Sequence, residues 1–181
     1  DMDSATSTIL VGTRDCKVFA YDLKRRAIIE IFDGHKAQIP SVHIHKRFFL
    51  SGSDDKTLGV WNRETKNPFR LLQGHAGAIL CITTVDAPRR LMLGLDDRED
   101  NGPTKEDKDA NGSQGATTTV NEPTTTFAVT GSEDGSIRIW DLDKLKCVIV
   151  LKGHCDWVTR IIVVSPTVIL SKSADRTVKL W

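Results

Sequence analysis

Little in this chain's composition invites chemistry. Its 181 residues include one tyrosine, two methionines, four cysteines and five histidines, and only 6% are aromatic. The formal net charge is +1, and no Lys/Arg run reaches five residues, which argues against a nucleic-acid or polyanion binder and against a membrane surface. The longest apolar stretches, such as the five residues 147–151, are strand-sized and far too short to span a bilayer. The first residues, DMDSATS, are polar and acidic and lack the apolar core of a signal peptide. Cys16, Cys81, Cys147 and Cys155 form no C-x-x-C pair and read as reduced thiols, so a cytoplasmic or nuclear location is expected. No set of residues with metal-ligand spacing stands out, and no cofactor or metal is expected. At 181 residues the chain is long enough for one domain with a substantial core.

What the chain has instead is repetition. SGSDDKTLGVW (51–61), TGSEDGSIRIW (130–140) and SKSADRTVKLW (171–181) are near copies, each with an Asp six residues before a Trp. These pairs are Asp55 with Trp61, Asp134 with Trp140, and Asp175 with Trp181. VGTRDCKVFAY (11–21) is a weaker copy, built on Asp15 and Tyr21. Gly-His recurs at 34–35, 74–75 and 153–154. The aromatic landmarks are spaced 40, 79 and 41 residues apart and the Gly-His landmarks 40 and 79, so both share a period of about 40 with an insertion of 39 residues. Segments such as TLGVW, SIRIW and TVKLW alternate in the period-2 manner of half-buried strands. Each period reads as four short antiparallel strands, with no convincing amphipathic helix.

Period, Gly-His and the Trp140-Asp141 dipeptide together resemble the WD40 repeat proteins. The resemblance covers the chain apart from the insertion. It implies an all-β propeller of four-stranded antiparallel blades around a central channel. On that reading residues 1–181 form a partial propeller. Blade one has strands near 7–12, 17–22 and 27–32, and its innermost strand is missing. Blade two spans about 37–72 and blade three about 77–151. Blade four has strands near 156–164, 167–172 and 177–181 and lacks its outer strand. Three to four blades do not close a seven-blade ring, so the expectation is a piece of a longer protein. The alternative is a half-propeller that self-associates through exposed blade edges.

His35, Ser51 and Asp55 recur as His75, Thr130 and Asp134 and as His154, Ser171 and Asp175. A Ser-His-Asp set is recognised by geometry rather than chain order, so catalysis deserves a hearing. A nucleophile has no reason to appear three times in one chain. The resemblance implies instead a buried network in which Asp holds His, His meets the hydroxyl, and the hydroxyl meets the indole of Trp61, Trp140 or Trp181. Blade one has Val11 for the hydroxyl and Tyr21 for the Trp, and is expected to be the least rigid. His43 and His45 stand on one strand face like metal ligands, but no third ligand completes a site, and they read as a solvated strand end.

The insertion, within 86–126, carries eight acidic and three basic residues from 96 to 126, a net of −5 that leaves about +6 elsewhere. That acidic, Thr-rich segment 96–126 has almost no large apolar side chains and is expected to be disordered. RLMLGLDD (90–97) mimics RFFLSGSDD and competes for a strand slot, but the strand is placed at 127–131, before the Trp. Asp107, Asp109, Asn111 and Gly112 match half a calcium loop, but Thr118 stands where the bidentate Glu belongs.

A rigid, non-catalytic platform for other proteins or peptides is therefore the expected function, with a ubiquitin-ligase substrate-recognition module or an RNA-processing assembly factor as alternatives. The resemblance places partners on the face carrying the Gly-His turns. The residues it marks are Arg14, Gln38, Pro40, Asp54, Ala78, Leu80, Glu133, Trp157, Thr159 and Ala174. Trp157, in GHCDWV, is the preferred anchor. Phosphopeptide readers need arginines. Pro40, Leu80 and Thr159 stand at the matching positions and only Arg14 is basic, so an apolar peptide or protein surface fits better.

Overall fold

A computed structural model describes residues 1–4, 7–63, 70–94 and 124–181. It is an all-β propeller segment of four antiparallel sheets. Blade one is β1 (Met2–Asp3), β2 (Thr8–Gly12), β3 (Val18–Asp22) and β4 (Ala27–Phe32). Blade two is β5 (Ser41–Ile44), β6 (Phe48–Gly52), β7 (Leu58–Asn62) and β8 (Arg70–Leu72). Blade three is β9 (Ile79–Pro88), β10 (Thr124–Ser132), β11 (Ser136–Asp141) and β12 (Lys146–Lys152). Blade four has three strands, β13 (Val158–Ser165), β14 (Val168–Ser173) and β15 (Val178–Leu180).

The strands form where β-branched and aromatic residues recur, and tight turns end them. The turn Asp is followed each time by a residue with positive φ: Cys16 at 66°, Lys56 at 72°, Gly135 at 73° and Arg176 at 67°. Only Gly135 adopts that conformation without a Cβ penalty.

The core lies between blades, so each blade is held by its neighbours. Leu10, Val18, Ala20 and Phe32 of blade one meet Ile39, Phe49 and Trp61 of blade two. Leu50, Leu58, Val60 and Leu72 of blade two meet Ile79, Ala128, Trp140 and Leu142. Val129, Ile137 and Ile139 of blade three meet Val158, Ile161 and Ile169 of blade four. Full burial of each such aliphatic side chain contributes roughly 1.5–3 kcal/mol. The approach is closest at one repeated point. A Cβ on Gly12, Gly52 or Gly131 would fall 2.5–2.6 Å from a methyl of Ile39, Ile79 or Val158, the residue that opens the next blade. Glycine is required there for contact rather than for conformation.

Four expectations need correction. Blade one does have an innermost strand, the two residues Met2 and Asp3, which pair with Ile9 and Thr8. Arg89–Leu93 is a short helix, α1, and not a competing strand. Its Arg89 guanidinium lies 2.9 Å from the fully buried Asp141 carboxylate, and Met92 is buried, so blade three itself holds the turn in place. The inserted segment also ends earlier than 96–126 implies. Thr124, Thr125 and Thr126 are strand, paired with Pro88, Ala87 and Asp86, and the Thr126 hydroxyl donates to Asp86 at 2.8 Å. Three β-branched residues favour extending the hairpin. The rest of that segment, with its half calcium loop, lies outside the described residues.

His43 and His45, finally, are not a solvated strand end. Their side chains are 24% and 11% exposed and bridge to blade three. His43 Nε2 meets the Thr84 hydroxyl at 2.9 Å, and His45 lies 3.2 Å from Asp86. Burial, then the neighbouring His45 charge, brings His43 down to about 4.

Candidate functional site

The repeated polar residues come together in each of blades two to four. His35 Nδ1 lies 2.8 Å from Asp55 and Nε2 2.6 Å from the Ser51 hydroxyl. The distances are 2.9 and 2.8 Å for His75 with Asp134 and Thr130. They are 2.7 and 2.8 Å for His154 with Asp175 and Ser171. The indole N–H of Trp140 donates to Thr130 Oγ1, and that of Trp181 to Ser171 Oγ, each at 2.8 Å. Trp61 stacks at an angle on Phe32 of blade one, centroids 5.0 Å apart, and edge-on to His35. With Nδ1–H donating to the carboxylate, Nε2 accepts from the hydroxyl, and the hydroxyl oxygen accepts from the indole. Every polar atom of that His–hydroxyl–indole relay is then satisfied.

Such a hydroxyl is a poor nucleophile. Ser51, Thr130 and Ser171 are at most 2% exposed, and in the two latter cases the oxygen already serves the indole. Among the described residues no group of three or more His, Cys, Asp or Glu could hold a metal.

A second hydroxyl, which sequence reading missed, completes each network. Thr57, Ser136 and Thr177 donate to the outer oxygen of their Asp at 2.5–2.6 Å. The amides of Lys36, Ala76 and Cys155 reach the other oxygen at 2.8–3.1 Å. Ser53, Ser132 and Ser173 accept the Asp N–H. The signal was present as Ser-x-Asp-x-Thr/Ser in all three copies. Burial alone would raise the Asp55 and Asp134 carboxyls, but bonds from Thr57 or Ser136, the Lys36 or Ala76 amide, and the histidine outweigh it and hold both below the usual range. Asp175 is lowered chiefly by the Thr177 hydroxyl, against burial, with help from His154. Burial lowers His75 despite Asp134, which favours the neutral ring.

This network fixes the loops on the Gly-His face. The residue before each turn Asp donates its N–H to the third residue after Gly-His. The pairs are Asp54 to Gln38, Glu133 to Ala78 and Ala174 to Trp157, at 2.9–3.0 Å. Gln38, Ala78 and Trp157 thus hold one repeated position, and the buried Ile39, Ile79 and Val158 beside them pin each loop. The loops are equivalent and their side chains are not. Gln38 is exposed and donates to Asp54 at 2.6 Å. Ala78 is 4% exposed, which removes it from the marked surface. Trp157 is 50% exposed. Arg14, Pro40, Thr159 and Ala174 are exposed, whereas Asp54, Leu80 and Glu133 are half-buried.

Residues 26–62 match the family model of the WD domain, G-beta repeat. Residues 92–181 match the beta propeller of the DDB1- and CUL4-associated factor 12 family. The chain belongs to the WD40 repeat family. It is 30% identical over 175 residues to nuclear distribution protein PAC1 of Arthroderma otae, covering 82% of this chain and 36% of that protein. It is 29% identical over 112 residues to WD repeat-containing protein pop2 of Schizosaccharomyces pombe, covering 62% of this chain and 13% of the relative. With a U3 snoRNP-associated protein-like protein, EMB2271 of Arabidopsis thaliana, it shares 25% identity over 198 residues, 96% of this chain and 41% of the relative. The chain thus spans well under half the length of these WD40 relatives.

Proposed function

We propose that this WD40 segment is a non-catalytic interaction platform whose Gly-His face docks a protein or peptide with Trp157 as its anchor. The observation that supports this reading is the half-exposed Trp157, standing where the equivalent loops carry Gln38 and the buried Ala78. A rigid aromatic at a surface loses little entropy on binding and desolvates well, which is why such residues dominate interface energetics. Pro40, Leu80 and Thr159 beside the loops offer an apolar rim, and Arg14 and Gln38 offer rim hydrogen bonds. The test is a displayed library of random peptides selected against the folded chain. Enriched peptides should contain an apolar anchor and lose at least tenfold in affinity on Trp157→Ala. Enriched peptides indifferent to Trp157→Ala and to Pro40→Ala would contradict the reading.

A second reading is that the platform recruits substrates to a cullin-type ubiquitin ligase. It is supported by the match of residues 92–181 to the propeller of a DDB1- and CUL4-associated factor. Saturable binding of the chain to purified DDB1 would support it, and none at micromolar concentrations would count against it. The RNA-processing reading is supported by a relative's name alone. On this proposal the chain works in the cytoplasm or nucleus.

A further inference from the structure

On the Gly-His face the turn of one blade abuts the Gly-His loop of the next. The Ile39 N–H donates to the Thr13 carbonyl and the Ile79 N–H to the Ser53 carbonyl, each at 3.1 Å, so Arg14 stands beside Gln38 and Asp54 beside Ala78. Between blades three and four the same approach is made by two glycines. A Cβ on Gly131 would lie 2.6 Å from a methyl of Val158, and one on Gly135 would lie 2.9 Å from the His154 carbonyl oxygen. Glu133 is midway between those glycines, so it stands beside Trp157.

Charge separates this junction from the other two. The first joins Arg14, Asp15 and Lys17 to Lys36. The second has Asp54, Asp55 and Lys56, and Gln38 already donates to the Asp54 carboxylate at 2.6 Å. The third has Glu133, Asp134 and Asp156 and no lysine or arginine, because Gly135 stands where the turns of blades two and four carry Lys56 and Arg176. His75 holds Asp134 at 2.9 Å. Glu133 is half-buried, and among the described residues its carboxylate forms no hydrogen bond or ion pair. That of Asp156 accepts the Trp157 N–H and is exposed. The loop Ala76-Gly77-Ala78 leaves room beside Glu133, and a Cβ on Gly77 would lie 3.0 Å from the Glu133 Cβ. Both blades of this junction are present, and Trp157 is on the loop face, not on the face that a following blade covers. Gln38, the long side chain at the same place in blade two, is exposed with all of blade three following it.

We infer, resting on the docking reading of the Gly-His face, that the Glu133–Trp157 junction takes an arginine side chain of the partner segment. A half-buried carboxylate without a counter-ion attracts a cation, and the neighbouring Asp156 adds to the field. The guanidinium lies on the indole of Trp157, the best of the aromatic faces for a cation, and its fork meets the Glu133 carboxylate. Lysine brings the charge without the fork or the flat face, and its ammonium is more strongly hydrated, so arginine is preferred. The apolar anchor of the segment then packs beside the arginine, and an acidic residue in its place is repelled.

The test uses the full 181-residue chain and four fluorescein-labelled peptides, Gly-Leu-Ser-Xaa-Ser-Leu-Gly, in which Xaa is arginine, lysine, citrulline or glutamate. Anisotropy should show the arginine peptide binding about tenfold more tightly than the citrulline one, with lysine between them and the ratio shrinking as salt rises. Glu133→Gln should bring arginine and citrulline level while the urea midpoint stays within experimental scatter. Glu133→Lys should reverse the order in favour of glutamate, and Trp157→Ala should weaken every peptide. Equal binding of the arginine and citrulline peptides that Trp157→Ala still weakens would overturn the inference and leave the docking face standing. An arginine preference that survives Glu133→Gln, or no binding of the arginine peptide at millimolar concentration, would also overturn it. Failure of the face itself shows separately, as a random library that yields no peptide dependent on Trp157.

Discussion

Blade one and blade three have the same strand order and unlike chemistry. In blade three, Asp134 collects two hydroxyl or ring partners and two amides, and Trp140 is 1% exposed. In blade one, Asp15 is exposed, Val11 replaces the hydroxyl at 44% exposure, and Thr13 closes the turn with its own bond to the Lys17 carbonyl at 2.7 Å. Four strands form in both. The lesson is that alternation and turns suffice to make a blade, while the polar network immobilises the loop that a blade presents to partners. Blade four sharpens the point. It has the full network on three strands, so the network forms without the fourth strand.

The comparison can be broken at several points. The largest effect should come from Asp134→Ala, which strands His75, Ser136 and the Ala76 amide. Urea unfolding should show a loss of about 3 kcal/mol. Asp15→Ala should stay within about 0.5 kcal/mol, and equal losses would erase the distinction between the blades.

Acid should act next, through groups lowered on folding. His43 moves from 6.5 to about 4, so the folded form binds fewer protons. Its contribution, on the order of 3 kcal/mol, is complete above pH 6.5 and drains away as pH falls through about 4. The lowered Asp55 and Asp134 carboxyls act in the same direction below the usual carboxylate range. His43→Gln should flatten the stability slope between pH 6.5 and 4; an unchanged slope would remove His43 from the account.

Gly131→Ala should cost about 1–3 kcal/mol, because the new methyl meets Val158 at 2.6 Å. Lys172→Ala at the matching place in blade four should cost under about 0.5 kcal/mol by the same urea assay. The smallest effect should be a gain. Arg176→Gly relieves a side chain held at φ 67°, and a rise in stability of up to about 1 kcal/mol is expected.

Much of this was legible in the sequence. Asp, Gly-His and Trp at a fixed spacing located the strands of three blades; the His–hydroxyl contacts that the resemblance implied lie at 2.6–2.8 Å, and the indoles of Trp140 and Trp181 join them. Repetition made that possible, since each copy checks the others. Features occurring once were harder. The two-residue strand at Met2 has no pattern to announce it. α1 reads like a strand because RLMLGLDD mimics RFFLSGSDD, whereas Arg, Leu and Met favour a helix that Arg89 and Met92 anchor to blade three. His43 and His45 were misplaced because their partners, Thr84 and Asp86, lie some 40 residues away on the next blade.

The account's central claim is that residues shared between blades build the structure and those that differ are free to bind. The urea midpoints of Trp140→Phe and Trp157→Ala, measured side by side, test it most directly. Trp140→Phe removes the buried indole donor to Thr130 and should lower stability by roughly 2–3 kcal/mol, while Trp157→Ala, at a half-exposed site, should change it by less than about 1 kcal/mol. Equal losses, or a larger loss from Trp157→Ala, would contradict the claim.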